Sequence, residues 1–154
     1  MPAFFVPTCR RLLFALLVTW AMAALSGAVA DALPPQIAPA EALALSRDGK
    51  LTIIDIRTPA EWQKTGIAPD ARLVDWQDPH GTGGFIAEVL KTVDGDKTRP
   101  IAMICRSGGR SARAMKALAD AGFTRVTDIG AGMVGRQSAP GWVGLGLPTV
   151  PCNC

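Results

Sequence analysis

The residues with the clearest capacity for chemistry lie in one short loop, CRSGGR, which spans Cys105–Arg110. The loop follows the apolar run PIAMI and carries one thiol, two arginines and a pair of glycines. Glycines in such a loop let backbone N–H groups turn toward a common point without a clash from a Cβ atom. Converging N–H groups, together with the charges of Arg106 and Arg110, stabilise an anion and lower the pKa of a nearby thiol. The loop therefore predicts that Cys105 is a nucleophile, although a lone cysteine that ends an apolar strand can also be a small buried hydrophobe.

Continuous apolar runs indicate the buried strands that position this loop. LTIID covers residues 51–55 and PIAMIC covers residues 100–105, and both are typical of strands covered on two faces. A helix is predicted directly after the loop, and RVTDI beyond it indicates a third strand. The residues that we expect to face inward from that helix are Ala112, Met115, Leu118 and Ala119.

Capping signals place the other helices. One helix is predicted to begin at Pro39, and Thr58 begins another with a capping box. FIAEVLKTV, residues 85–93, has one apolar helical face after the turn-rich loop QDPHGTGG, and no clear period follows RVTDI. Strands that alternate with helices predict an α/β fold, with a mainly parallel central sheet of about five strands and helices on both faces. Ligands of such sheets bind at the carboxyl ends of the strands, where Cys105 is expected to lie.

The first thirty residues have the layout of a secretory signal peptide. Arg10 and Arg11 precede a short apolar block, and the small residues Ala28–Ala30 follow it. The alternative is a membrane anchor formed by residues 12–30, which are barely enough to span a bilayer. We expect cleavage, export to the periplasm and no stable membrane contact afterwards. The remaining chain would hold a linker (31–38), one domain (39–150) and a cysteine-containing tail (151–154).

Charge and cysteine content narrow the function further. The chain has 16 Lys and Arg against 13 Asp and Glu, and two of the arginines belong to the leader, so nothing indicates a nucleic-acid partner. Removal of the leader also removes Cys9 and leaves Cys105, Cys152 and Cys154. Three cysteines leave either one thiol free or a tail pair closed on itself, and both arrangements allow a reactive Cys105.

Three segments of the chain resemble rhodanese-type sulfurtransferases. ICRSGGRSARAMKALADAGFTRVTDIGAGMVG closely resembles the active-site segment of that family, in which a cysteine begins a short loop that ends in arginine and leads into a helix. LTIIDIRTPAEWQKTGIAPDARLV is similar to the early strand-Asp-x-Arg segment, and GWVGLGLPTV to the common ending. The resemblance covers roughly residues 37–150. One departure is GIAPDA, residues 66–71, which lacks the histidine that the family often has there.

The resemblance implies a single rhodanese-like domain that moves sulfane sulfur. The Cys105 thiolate would take the outer sulfur of a donor such as thiosulfate or a persulfide, and a thiol or cyanide would then accept that sulfur. The family resemblance implies no cofactor and no metal. The residues expected to bind the substrate are Arg106, Ser107, Gly108, Gly109, Arg110 and Ser111.

Loop length distinguishes this function from its nearest enzymatic rival. Phosphatases and arsenate reductases of related fold have one residue more between the cysteine and the arginine, whereas four residues separate Cys105 from Arg110. The shorter loop suits a sulfur atom better than a tetrahedral oxyanion. A second hypothesis, from another class, is a non-catalytic rhodanese-like binding or sulfur-carrier module in the periplasm.

Several other residues invite a functional interpretation. His80 is expected to be a bystander in a surface loop, and Asp55 and Arg57 to form a buried ion pair. Trp142 is expected in the core or at the mouth of the pocket. The tail PCNC allows a redox pair, a tight disulfide or a soft-metal site, and no site is assigned to it.

Overall fold

The computed structural model describes Met1 and residues 35–154, and the residues from 35 onward belong to one compact unit. The expected leader, its alternative as an anchor and most of the expected linker lie outside the described residues. No helix within the described part of the chain is long and apolar enough to cross a membrane.

A parallel sheet forms the centre of the fold. Its strands run in the order β2-β1-β3-β4, and every neighbouring pair is parallel. The strands are β1 (Thr52–Asp55), β2 (Arg72–Leu73), β3 (Ile101–Ile104) and β4 (Val126–Asp128). An isolated parallel bridge from Gln36 to Asp128 extends the β4 edge. The predicted α/β class is thus confirmed, and the sheet of the described residues has four strands where about five were expected.

Helices pack on both faces of the sheet, as the alternation of elements predicts. They are α1 (Pro39–Arg47), α2 (Pro59–Thr65), α3 (Gly81–Thr92) and α4 (Gly109–Asp120). The sheet has one hydrophobic core on each face, and neighbouring residues of β1 point into different cores. Ile54 packs in the cluster with residues of α3 and α4, whereas Ile53 packs in the cluster with residues of α1. Continuous apolar strands are needed for this arrangement, because every side chain of β1 and β3 meets protein on one face or the other.

The prediction for the inner face of α4 was partly wrong. Ala112 and Ala119 are exposed, and the buried residues of α4 are Ser111, Ala114 and Leu118. The helix begins at Gly109, and its first inward side chain is a serine next to the Cys105 sulfur. The buried face of α4 therefore includes a polar residue, which apolar periodicity alone does not predict.

Two further local predictions differ from the structure. Helix α3 begins at Gly81, inside the segment interpreted as a loop, where the Asp78 carboxylate accepts a hydrogen bond from the His80 N–H at 2.7 Å. Beyond β4, where no period was visible, Gly135–Arg136 (β5) and Ala139–Pro140 (β6) form a short antiparallel pair. This hairpin packs beside the active-site loop and contributes to its support.

Candidate active site

Cys105 lies at the carboxyl end of β3 and is the free cysteine of the described residues. Its side chain is buried, with 1% of the residue exposed. The Gly108 N–H donates a hydrogen bond to Sγ at 3.2 Å, and the Ser111 hydroxyl lies 3.4 Å from Sγ. The loop therefore folds back over the sulfur and surrounds it with hydrogen-bond donors.

The surroundings of Cys105 favour its thiolate. Burial alone raises the pKa of the thiol, because it disfavours the charged form. The Ser111 hydroxyl and the backbone N–H groups of Ser111, Ser107 and Arg110 oppose this effect, and the pKa of Cys105 is held below its ordinary value. A larger fraction of the thiol is thus available as a nucleophile near neutral pH.

One of the two loop glycines is required by the geometry. Gly108 has a φ of +88°, and a Cβ at this position would lie 2.2 Å from the carbonyl oxygen of Gly130. Gly109, in contrast, opens helix α4, and a Cβ there would meet no atom within 4 Å. The turn thus requires glycine at position 108, whereas the space around position 109 would accommodate a side chain.

The chain after β4 braces the loop from behind. The Met133 N–H donates to the Cys105 carbonyl at 2.8 Å, and the Val134 N–H donates to the Arg106 carbonyl at 2.9 Å. From β5, the Arg136 Nε donates to the Ser107 carbonyl at 2.6 Å. These bonds use the loop carbonyls on one side, which leaves the loop N–H groups directed to the sulfur on the other.

Arg110 makes its contacts on α2. Its guanidinium forms two hydrogen bonds to the Glu61 carboxylate, at 2.6 and 2.7 Å. This pair, together with a hydrogen bond to Thr58, lowers the pKa of Glu61 to about 2 against the cost of partial burial. The backbone N–H of Arg110 still acts on Cys105, whereas its side chain ties the loop to a neighbouring helix.

Glu61 also completes the capping box that the sequence predicts for α2. The Thr58 N–H donates to the Glu61 carboxylate at 3.1 Å, and the Glu61 N–H donates to the Thr58 hydroxyl at 3.4 Å. The same carboxylate therefore caps α2 and holds Arg110. Sequence analysis identified only the first of these roles, because the second joins residues 49 positions apart.

Arg57 fixes the opposite end of α2. It forms the expected buried ion pair with Asp55, at 2.6 Å. Its Nη1 donates to the Thr65 hydroxyl at 2.6 Å, and its Nη2 donates to the Gly66 carbonyl at 2.8 Å. A cation that binds carbonyls at a helix C-terminus stabilises that end, so α2 is anchored at both termini beside the loop.

A cleft of about 320 Å³ opens beside the loop. The residues that line it are Arg57, Glu61, Lys64, Thr65, Arg106 and Val134. Glu61 and Arg57 are neutralised by their partners, whereas the side chains of Lys64 and Arg106 are exposed and make no hydrogen bond or ion pair within the described residues. The cleft therefore carries an excess of positive charge and suits an anionic ligand.

Most of the residues that the sequence analysis assigned to the site surround the Cys105 sulfur. The Gly108 N–H donates a hydrogen bond to the Cys105 sulfur, the Ser111 hydroxyl lies 3.4 Å from it, and the backbone of Ser107, Arg110 and Ser111 helps to lower the pKa of the thiol. Arg106 faces the cleft, and Gly109 shows no contact with the sulfur. The residues missed from the sequence are Glu61, Lys64, Thr65, Asp128, Val134 and Arg136.

His80, Trp142 and the two tail cysteines were the other candidates from the sequence. His80 is exposed and precedes α3, while Trp142 is fully buried and donates from Nε1 to the Pro148 carbonyl at 2.8 Å, so it belongs to the core. Cys152 and Cys154 form a disulfide, and the Cys154 carbonyl accepts a hydrogen bond from Gln63 Nε2 at 3.0 Å. The described residues contain no cluster of side chains able to hold a metal ion.

Several solved structures have a similar fold. Rv0390 from M. tuberculosis is 29% identical, with a TM-score of 0.61 over 76% of this chain and 97% of that one. The rhodanese-like domain of Anabaena Alr3790 is 19% identical, with a TM-score of 0.60 over 78% of this chain and 81% of that one. The polysulfide-sulfur transferase homodimer of Wolinella succinogenes is 24% identical, with a TM-score of 0.56 over 77% of this chain and 79% of that one. The last two likenesses show the fold alone.

Sequence comparison agrees with the structure. No curated protein has a sequence that matches this chain significantly. The family model of the rhodanese-like domain matches residues 38–139, which include α1 to α4, the whole parallel sheet and the loop at Cys105. The chain belongs to the rhodanese-like domain family.

Proposed function

We propose that the protein is a sulfurtransferase that carries sulfane sulfur as a persulfide on Cys105. The observation that carries the proposal is the set of hydrogen-bonding groups around Cys105 Sγ, which lowers the pKa of the thiol. The length of the loop, with four residues between Cys105 and Arg110, also suits a sulfur atom better than a phosphate. Preorganised donors of this kind stabilise charge on the nucleophile without reorganisation during the reaction.

The reaction consists of two displacements on sulfur. In the first, the Cys105 thiolate attacks the outer sulfur of thiosulfate, a Cys–sulfur bond forms, and the sulfur–sulfur bond of the donor breaks with its electron pair on the departing sulfite. In the second, cyanide or a thiolate attacks the outer sulfur of the persulfide and releases the Cys105 thiolate. The two steps balance without an external oxidant or a cofactor.

The charge of the cleft supports an anionic donor. Lys64 and Arg106 stand on its walls without neutralising partners in the described part of the chain. They raise the local concentration of thiosulfate or of an anionic persulfide. The low exposure of Cys105 limits the contact of its persulfide with solvent and with dissolved oxidants.

The compartment is part of the same proposal. Arg10, Arg11, the apolar block and the triplet Ala28–Ala30 support export to the periplasm, with cleavage before Asp31. The Cys152–Cys154 disulfide is also in keeping with an oxidising compartment.

Thiosulfate-to-cyanide transfer, followed as thiocyanate formation, tests the proposal. Cys105→Ser is expected to abolish transfer while keeping the fold. The matched control is the double variant Cys152→Ser, Cys154→Ser, which removes the tail sulfurs and is expected to keep the activity of the native chain. Transfer that survives in Cys105→Ser, or that is lost in the control, would contradict the assignment. A folded protein with neither transfer nor persulfide would instead support a non-catalytic binding module.

A further inference from the structure

A buried carboxyl group that the sulfur-transfer steps do not use lies behind the active-site loop. Asp128 ends β4 and is 1% exposed, and its Oδ1 is buried without a hydrogen-bond partner among the described residues. An ionised carboxylate in such a place loses its hydration without compensation, which is costly.

The register of the sheet brings Asp128 to the nucleophile. Asp128 pairs with Met103 across parallel strands, so both side chains point to the face that α4 covers. The next residue of the β3 segment on that face is Cys105, and the first inward side chain of α4 is Ser111. The carboxyl ends of β3 and β4 and the start of α4 thus lie on one face of the sheet. The Ser111 hydroxyl, 3.4 Å from the Cys105 sulfur, also acts on Asp128, whose pKa it lowers.

The Ser111 hydroxyl has one proton and several acceptors in reach. Cys105 Sγ lies 3.4 Å from its oxygen, and the Gly108 carbonyl lies 3.2 Å away. An ionised Asp128 would be a third and charged acceptor, and it would draw the proton away from the sulfur. A protonated Asp128 would instead donate to Ser111 and leave the Ser111 proton to the thiolate.

We propose that Asp128 is a positioning residue that acts as a neutral acid: it donates a hydrogen bond to Ser111 Oγ and thereby directs the Ser111 hydroxyl to the Cys105 thiolate. The neutral form also lowers the cost of burying Oδ1, which has no hydrogen-bond partner among the described residues. A neutral Asp128 also places no second negative charge beside the thiolate.

The charged groups around Asp128 are compatible with this state. Burial raises the pKa of Asp128, whereas the Ser111 hydroxyl and the positive charge of Arg136 lower it, and burial prevails. Arg136 comes from β5 and is held at the Ser107 carbonyl, and Cys105 comes from the end of β3. The segment before α1 faces Asp128 with backbone groups of Pro35 and Ile37.

Two substitutions separate this role from a simple packing role. Asp128→Asn cannot ionise, but its amide can still donate to Ser111, so the pKa of Cys105 should stay within a few tenths of the native value. Asp128→Leu has a similar size and no donor, so the pKa of Cys105 should rise by about one unit. In a Ser111→Ala background, Asp128→Leu should produce no further change, because the effect passes through Ser111.

The measurement is the pH dependence of thiolate absorbance and of alkylation of Cys105 by iodoacetamide, with the exposed Asp120→Asn as control. Difference infrared spectra of native protein and Asp128→Asn at neutral pH should contain the band of a protonated carboxyl. A fall in the pKa of Cys105 in Asp128→Asn would show that Asp128 is ionised and overturn the proposal. An unchanged pKa in a folded Asp128→Leu, or the absence of the infrared band, would overturn it as well. The inference rests on the nucleophile of the proposed function, but these readouts are independent of sulfur transfer.

Discussion

Arg110 and Glu61 form a bidentate ion pair, with two nitrogen–oxygen distances of 2.6 and 2.7 Å, that joins the active-site loop to helix α2. Both side chains are mostly buried, with 19% and 26% of their surface exposed. Two parallel bonds between planar groups fix orientation as well as distance. The pair thus holds the last residue of the loop in place, while Arg106 is the loop arginine that lines the cleft.

Glu61→Gln should loosen this connection. The variant loses the charge that pairs with Arg110 and weakens the capping box of α2, so the free energy of unfolding should fall by about 1–2 kcal/mol. Urea unfolding measures the change. Glu88→Gln is the control, because Glu88 forms an exposed pair with Lys91 and should cost no more than about 0.5 kcal/mol. Equal losses of unfolding free energy in the two variants would show that the Glu61–Arg110 pair stabilises the fold no more than an exposed ion pair does.

The same pair predicts the response to acid. The pKa of Glu61 is about 2 in the folded protein, against 4.5 for an ordinary glutamate. A carboxylate with a lowered pKa stabilises the fold above its unfolded pKa, and this contribution is lost as the pH falls from about 4.5 through about 2. Urea unfolding across this pH range should therefore show a smaller loss of stability in Glu61→Gln than in the native chain. Parallel curves for the two proteins would contradict the assignment.

Lys64 and Arg106 should govern the affinity for the donor. Replacement of either by alanine removes one positive charge from the cleft, at a cost of about 1 kcal/mol in binding. Steady-state kinetics should show roughly a fivefold rise in KM for thiosulfate. Added salt should narrow the difference, because it screens exposed charges. Lys116→Ala, on the outer face of α4, is the control and should leave KM unchanged. A fall in kcat at constant KM would argue against a binding role.

The two loop glycines should respond in opposite ways. Gly108→Ala forces a left-handed backbone on alanine and places its Cβ against the Gly130 carbonyl, so unfolding should become easier by at least about 2 kcal/mol. Gly109→Ala adds a methyl group in open space at the start of α4 and should stabilise the protein by up to about 1 kcal/mol. Thermal unfolding compares them. Similar melting temperatures for both variants would refute the distinction.

Local patterns accounted for the parts of the site that depend on nearby residues. The end of β3, the capping box at Thr58 and the turn of the loop are each encoded within a few positions, so they could be predicted from the sequence. Contacts between residues that are far apart in the sequence could not be predicted. Glu61 signals its role as a cap, but its contact with Arg110 depends on how α2 packs beside the loop.

Asp128 and Arg136 illustrate the same limit. An aspartate that ends a strand is commonly exposed, and only the register with Met103 shows that Asp128 faces the core. Arg136 supports the loop from a hairpin that has no apolar period of its own. Tertiary packing, rather than local propensity, therefore decides which polar groups surround the sulfur.

The most direct test of the account is the intact mass of the purified protein before and after treatment with thiosulfate. The native chain should gain the mass of one sulfur atom, lose it again on addition of cyanide, and show no gain when Cys105→Ser is treated in the same way. A folded native chain that gains no sulfur, or a Cys105→Ser variant that gains as much as the native chain, would contradict the proposal that Cys105 carries the persulfide.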